Sequence, residues 1–223
     1  MTIAGVLFDL DGTLVDTAPD LVAVLNRMLR EDGRAPMPYA IARNEVSNGA
    51  VGLLRLGFGA ELSARELERL RARFLQIYLG DVCCNSRLFI DIHSLVKDNS
   101  RSDWGVVTNK PHAMTVPLLE QLGIAELMSA VVSGDSLAQR KPHPAPLLLA
   151  AETLGLDARE CVYVGDALRD IEAARAAGMH TLAALWGYIR PGEDPASWAA
   201  DASVRHPGEL PGILRAMSSR GAR

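Results

Sequence analysis

The chain has 223 residues, with 23 Lys and Arg against 27 Asp and Glu for a formal net charge of −4. That balance offers no broad cationic surface for nucleic acid or anionic lipid. The length is ample for a buried core, as one large domain or two small ones. No apolar run approaches the ~18 residues of a membrane span, and the first residues lead straight into a strand rather than a basic and then apolar leader. The expectation is a cytoplasmic protein without nucleic-acid or membrane partners. Cys83, Cys84 and Cys161 are odd in number and lack metal-ligand spacing, so they read as reduced thiols.

In chain order, Ile3, Val6, Leu7 and Phe8 form a short apolar run that reads as a buried parallel strand ending at Asp9. In an open α/β sheet that carboxyl edge is where ligands bind. Asp9 and Asp11, spaced i, i+2 and followed by Gly12 and Thr13, would each cost roughly several kcal/mol if buried unpaired. They make sense if a cation neutralises them and Asp9 attacks something.

From Asp16 the pattern becomes helical. Asp16 or Thr17 can cap a helix with Pro19 in its first turn, Leu21, Val24, Leu25, Met28 and Leu29 form one stripe, and Gly33 ends it. A second helix includes Val51, Leu53, Leu54 and Leu56. A third starts near Ser63 with Glu66 placed for a capping box, followed by Leu67, Leu70, Phe74 and Ile77. Arg65, Glu68, Arg69 and Arg71 on this helix read as a solvated face. Ser47-Asn48-Gly49-Ala50 is a loop or helix start able to present backbone N–H groups and the Asn48 amide to a substrate. Arg43, just before it, suits a substrate carboxylate or hydroxyl, or is a surface arginine.

The sheet resumes with Trp104 to Thr108, where Thr108-Asn109-Lys110-Pro111 turns into a helix and offers a hydroxyl and N–H groups to a phosphate, or caps the helix. The segment before it, Phe89-Ile90-Asp91-Ile92 and then the polar run from Lys97 to Asp103, leaves room for only a short helix. Ala130 to Ser133 is a third strand. Lys141-Pro142-His143-Pro144 follows, and the two prolines hold Lys141, one of only three lysines in the chain, in an extended loop. Cys161 to Gly165 is a fourth strand leading into Asp166, with Asp170 on the first turn of the next helix. With Asp9 and a backbone carbonyl from Asp11 these carboxylates make an oxygen-rich site suited to Mg²⁺. A fifth strand spans His180 to Trp186, and a short apolar run covers Leu210 to Leu214.

Asp9-Leu10-Asp11-Gly12-Thr13, Thr108, Lys141 and Asp166 with Asp170, each at a strand end and in this order, resemble the four signatures of the haloacid dehalogenase superfamily, most of whose members are Mg²⁺-dependent phosphatases. The resemblance implies an α/β fold: a Rossmann-like core with a parallel five- or six-stranded sheet (residues 1–16 and 83–223) and an all-α cap (residues 17–82) inserted after the first strand. It implies that Asp9 forms an aspartyl-phosphate, and that Asp11 protonates the leaving oxygen and later activates water. Mg²⁺ would be held by Asp9, Asp11, Asp166 and Asp170, and the phosphoryl group by Gly12, Thr108, Asn109 and Lys141. Asn48 and Gly49 lie in a segment similar to the Gly-Asn-Gly of phosphoglycolate phosphatases, which with Arg43 makes them cap residues facing a small-molecule phosphomonoester. Gly187 to Pro191, Trp198 and Asp201 resemble a subgroup that includes N-acetylmuramic acid 6-phosphate phosphatase. Both substrates pair a phosphate with a carboxylate, and the expected assembly is a monomer or homodimer.

Sister activities fit less well. Haloacid dehalogenases lack an aspartate at the position of Asp11, and phosphonoacetaldehyde hydrolases need a cap lysine where residues 17–82 have none. β-Phosphoglucomutase shares the core signatures and differs mainly in how its cap controls water. From other classes, a receiver-type phosphoacceptor domain carries its acceptor on the third strand of a chain about half as long, and a phosphate-binding protein without turnover would not hydrolyse p-nitrophenyl phosphate.

Overall fold

A computed structural model describes residues 3–97 and 103–220, so residues 98–102 of the polar run noted above lie outside it. The chain runs β1 (Gly5–Phe8), β2 (Val15–Asp16), α1 (Ala18–Glu31), α2 (Tyr39–Arg43), α3 (Gly49–Phe58), α4 (Ala64–Gly80), β3 (Arg87–Leu88) and α5 (Ile92–Lys97). It continues with β4 (Asp103–Val107), α6 (His112–Gln121), β5 (Ala130–Val132), α7 (Ala145–Leu154), β6 (Cys161–Gly165), α8 (Leu168–Ala177), β7 (His180–Ala184), β8 (Ala202–Val204) and α9 (Leu210–Arg220).

Six strands make one parallel sheet in the order β5-β4-β1-β6-β7-β8. β1 is central because every one of its residues is apolar or glycine and all four are buried. Strand alternation sends Val6 and Phe8 to one face and Leu7 to the other. Val6 and Phe8 pack with Trp104, Val106, Val162 and Val164, whereas Leu7 joins Val107, Tyr163 and the α7 and α8 residues Leu147, Ala150 and Ala173. In register, Phe8 pairs with Val106 and Val164, so Asp9, Val107 and Gly165 reach one edge together.

The helical insertion has a separate apolar cluster. Leu21, Leu25, Met28 and Leu29 of α1 meet Leu53, Leu54, Leu70, Phe74 and Tyr78, joined by Met114 and Tyr188 from the sheet side. α4 begins with the expected capping box, in which Ser63 and Glu66 each take the other's backbone N–H. α1 starts differently from the expectation. Thr17 occupies the N-cap position without capping, because its hydroxyl donates to Asp11 at 2.6 Å, while Asp16 accepts from the Tyr188 hydroxyl at 2.7 Å. The fifth strand stops at Ala184, since Trp186 turns back to donate its indole N–H to the Thr13 carbonyl at 3.0 Å. The expected short helix before β4 is α5, of six residues. Among the described residues no helix is long and apolar enough to cross a membrane.

Candidate active site

Asp9 leaves the end of β1 only 3% exposed. Its Oδ1 accepts the Leu10 N–H at 2.8 Å and meets Lys141 Nζ at 2.9 Å. Both contacts fall on one oxygen, and among the described residues Oδ2 carries none. Asp11 is arranged the same way: its Oδ1 takes the Thr17 hydroxyl and Lys110 Nζ, the latter at 2.9 Å, and Oδ2 is left over. Each carboxylate is thus held by one oxygen and presents the other.

Lys141 is 4% exposed and sits among four oxygens. These are Asp9 Oδ1, Asp170 Oδ1 at 2.8 Å, the Val107 carbonyl at 2.9 Å and the Tyr163 hydroxyl at 2.7 Å. The Asn109 side chain fastens its backbone, donating to the Lys141 carbonyl and accepting the Lys141 N–H, both at 3.0 Å. Asn109 therefore positions Lys141 with both ends of its amide. Thr108 lines the cavity, its hydroxyl oxygen accepting the Lys110 N–H at 3.1 Å.

Asp166 follows β6 and Asp170 stands in the first turn of α8. Oxygens of Asp9, Asp166 and Asp170 lie within 4.8 Å of one another. The Asp11 side chain is not part of this cluster, being turned to Thr17 and Lys110 instead. Thr13 donates to Asp166 Oδ1 at 3.1 Å and the Tyr188 N–H to Oδ2 at 2.7 Å. A Cβ on Gly12, whose φ is +90°, or on Gly187 would overlap the Asp166 carboxylate, so only glycine lets the two turns close around it. Burial, reinforced by Asp9 and Asp170, pushes the Asp166 carboxyl up to about 7. Burial also raises Asp170 against the opposing pull of Lys141. Three buried carboxylates with oxygen-only donors are short of positive charge, and a hard divalent cation such as Mg²⁺ fits that deficit.

A cavity of about 510 Å³ opens above Asp9 and Asp11. Its floor includes Thr108, Asn109, Lys110 and Lys141, and its roof Ser47, Asn48, Gly49, Phe74 and Leu75. Asn48 and Gly49 line the cavity, and the Asn48 amide, expected to be offered to a substrate, donates to Glu45 at 2.7 Å. Arg43 does not line the cavity: its guanidinium lies 4.6 Å over the Tyr188 ring and faces the Gly187 carbonyl. Glu68 and Arg71 keep the exposed, paired character read for this face of α4 and also line the cavity, as do Arg140 and Arg169. Arg169 donates to the Ser47 carbonyl at 2.7 Å, joining α8 to the roof. The role of Lys110 could have been suspected from its place two residues after the strand-end threonine. Arg169 and Tyr163 carry no comparable signal, because their partners lie far along the chain.

The haloacid dehalogenase-like hydrolase model matches residues 6–184, which hold all of these strand-end groups. The chain is 45% identical over 207 residues to a phosphoglycolate phosphatase of Xanthomonas campestris, covering 92% of this chain and 93% of the relative. It is 41% identical to an N-acetylmuramic acid 6-phosphate phosphatase of Pseudomonas putida, covering 96% and 97%. A crystal structure of a predicted phosphoglycolate phosphatase from Haemophilus somnus superposes with a TM-score of 0.82 at 29% identity, covering 96% of this chain and 99% of that one. The sheet, the strand-end carboxylates and these relatives agree that the chain belongs to the haloacid dehalogenase-like hydrolase family.

Proposed function

We propose that the chain is a Mg²⁺-dependent phosphomonoester hydrolase acting in the cytoplasm on a small carboxylate-bearing metabolite, with residues 17–82 as the cap over its site. The observation that carries this reading is the pair of one-sided carboxylates, Asp9 and Asp11, each tied through Oδ1 to a buried lysine. Asp9 Oδ2 attacks phosphorus, the ester P–O bond breaks, and the leaving oxygen takes a proton from Asp11. In the second half, Asp11 takes a proton from water as that water attacks the acyl phosphate, releasing inorganic phosphate and restoring Asp9. Lys141, the Thr108 hydroxyl and the amides after Asp9 stabilise charge on the transferring group. A bound Mg²⁺ would be held by Asp9, Asp166, Asp170 and the Asp11 carbonyl, and would supply charge neutralisation at the phosphoryl oxygens.

2-Phosphoglycolate is the substrate suggested by relatives such as the Xanthomonas enzyme. The cavity favours a second reading, N-acetylmuramic acid 6-phosphate. Its volume of about 510 Å³ lies in the ~300–1,000 Å³ range of pockets that enclose ligands as large as drugs, leaving room for a sugar around the phosphate. Phosphate release from the two substrates, assayed side by side with Mg²⁺ and with EDTA, separates them. A preference of about a hundredfold corresponds to about 2.7 kcal/mol of transition-state discrimination. No release from either, nor from p-nitrophenyl phosphate, overturns the phosphatase reading.

A further inference from the structure

Five cations line the cavity, Arg71, Lys110, Arg140, Lys141 and Arg169, against three carboxylates, Asp9, Asp11 and Glu68. Asp166 and Asp170, which lie against Asp9 and Lys141 beneath that lining, bring the carboxylates to five as well, so the question is which cation is left without a partner. Four of the five cations already have partners. Lys141 is ringed by oxygens, Lys110 is held by Asp11, Arg169 by the Ser47 carbonyl, and Arg71 by a 3.3 Å contact to Glu68. Arg140 is different. It is exposed toward the cavity, and among the described residues its guanidinium has neither an acidic partner nor a hydrogen bond.

Arg140 also occupies a geometrically controlled position. It immediately precedes Lys141, whose backbone is clamped by Asn109, so its Cα is fixed relative to the cavity floor. Arg71, on α4, approaches the same cavity from the roof; its contact with Glu68 is exposed and of a kind worth only about 0–1 kcal/mol. It can therefore be given up for a better anion.

We propose that Arg140, with Arg71 opposite it on the cap, forms a second anion position that receives the carboxylate of the substrate and so sets specificity. A planar guanidinium donates to both oxygens of a carboxylate at once, a match that a neutral or merely hydroxylated substrate cannot make. The proposal rests on the phosphomonoesterase reading for the hydrolysis assays but not for the binding assay below. It replaces Arg43, which sequence alone suggests for this task and which the structure engages with Tyr188 and Gly187.

The test uses pairs of which one member carries the carboxylate-bearing group and the other lacks it. These are 2-phosphoglycolate against ethyl phosphate, and N-acetylmuramic acid 6-phosphate against N-acetylglucosamine 6-phosphate. The ratio of kcat/KM within each pair is measured for the wild type, Arg140→Ala, Arg71→Ala and Arg43→Ala. For the pair that the wild type prefers, Arg140→Ala should lower the ratio about tenfold or more and Arg71→Ala by less, with Arg43→Ala leaving it unchanged. In parallel, titration calorimetry of the Mg²⁺-loaded protein compares 3-phosphonopropionate with propylphosphonate, neither of which can be hydrolysed at a C–P bond by this chemistry. The wild type should bind the carboxylate-bearing probe at least about tenfold more tightly, and Arg140→Ala should not. Equal loss on both members of a pair, collapse of the ratio in Arg43→Ala alone, or no discrimination by the wild type in calorimetry each overturns the proposal. Absence of all hydrolysis with discrimination preserved in calorimetry would instead overturn the phosphatase reading and leave the anion position standing.

Discussion

Lys141 and Arg71 both face the cavity, but they are held on opposite terms. Lys141 is 4% exposed and surrounded by four oxygens from three different strands and one helix. Arg71 has a side chain 39% exposed and a single contact to a glutamate that is itself 74% exposed. The floor of the cavity is made of groups that cannot move without stranding buried charge, whereas the charged groups on the α4 side, Arg71 and Glu68, make contacts that are weak and replaceable. The contrast separates chemistry from selection. Reacting atoms need fixed geometry to well within an ångström, whereas substrate choice is tuned on side chains whose change costs the fold little.

The largest effect that would probe this division is at the floor. Asp9→Asn should reduce phosphate release by about 10⁴-fold or more, as expected when a nucleophile is lost, and the circular dichroism spectrum should stay that of the wild type. Full activity in the Asp9→Asn variant would show that attack does not come from this residue. Lys141→Ala should follow, with a loss of about 10²–10³-fold in kcat. It should also destabilise by about 3–5 kcal/mol, because Asp9 and Asp170 would remain buried beside no ammonium; urea melts in EDTA measure this. If its stability matches the wild type, the floor is not the rigid half.

Metal removal sharpens the comparison through pH. Burial lifts the Asp166 carboxyl to about 7, whereas an unfolded aspartate titrates near ~3.9. Across that window the folded, metal-free chain holds a proton that the unfolded chain has released. Stability from this group is therefore full below the lower value and lost as pH rises through the upper one. Mg²⁺ bound at the proposed site would take the proton's place. Thermal melts in EDTA should thus show a falling contribution from about pH 4 to about pH 7 that melts in Mg²⁺ lack; parallel profiles would refute the cation site. The smallest effect belongs to the roof. Ser63→Ala removes the capping box of α4 and should cost about 1 kcal/mol, with kcat changed less than about twofold.

Much of the floor is legible in the sequence because it consists of short-range patterns. An apolar run ending in Asp9, another in Thr108 and a third in Asp166 each announce a strand and its edge. What escapes has no local signature. β8 is Ala202-Ser203-Val204, too short and too mixed to show alternation, and α2 spans only Tyr39–Arg43. The place of Arg71 beside the cavity escapes the sequence because it and Glu68 stay exposed there next to the apolar Ala72, Phe74 and Leu75, and helical periodicity separates only apolar from polar. Thr17 looks like a cap because its residue type suits one, but a carboxylate six positions earlier competes for the same hydroxyl. Tyr188 is visible only as a tail residue. Its hydroxyl reaches Asp16 and the Ala18 N–H, and its ring supports Arg43.

The pairing of β2 with β3 has a consequence for how such proteins can change. Val15 lies beside Leu88 and Asp16 beside Arg87 in an antiparallel ladder, so the chain departs for the helical insertion and returns from it at neighbouring points, one inter-strand spacing of about 4.8 Å apart. Everything between is an excursion whose two ends are already joined. A different insertion could be spliced across that junction, or this one shortened to a turn, without lengthening any connection in the sheet. Lineages can therefore exchange the roof as a cassette while the floor is inherited intact.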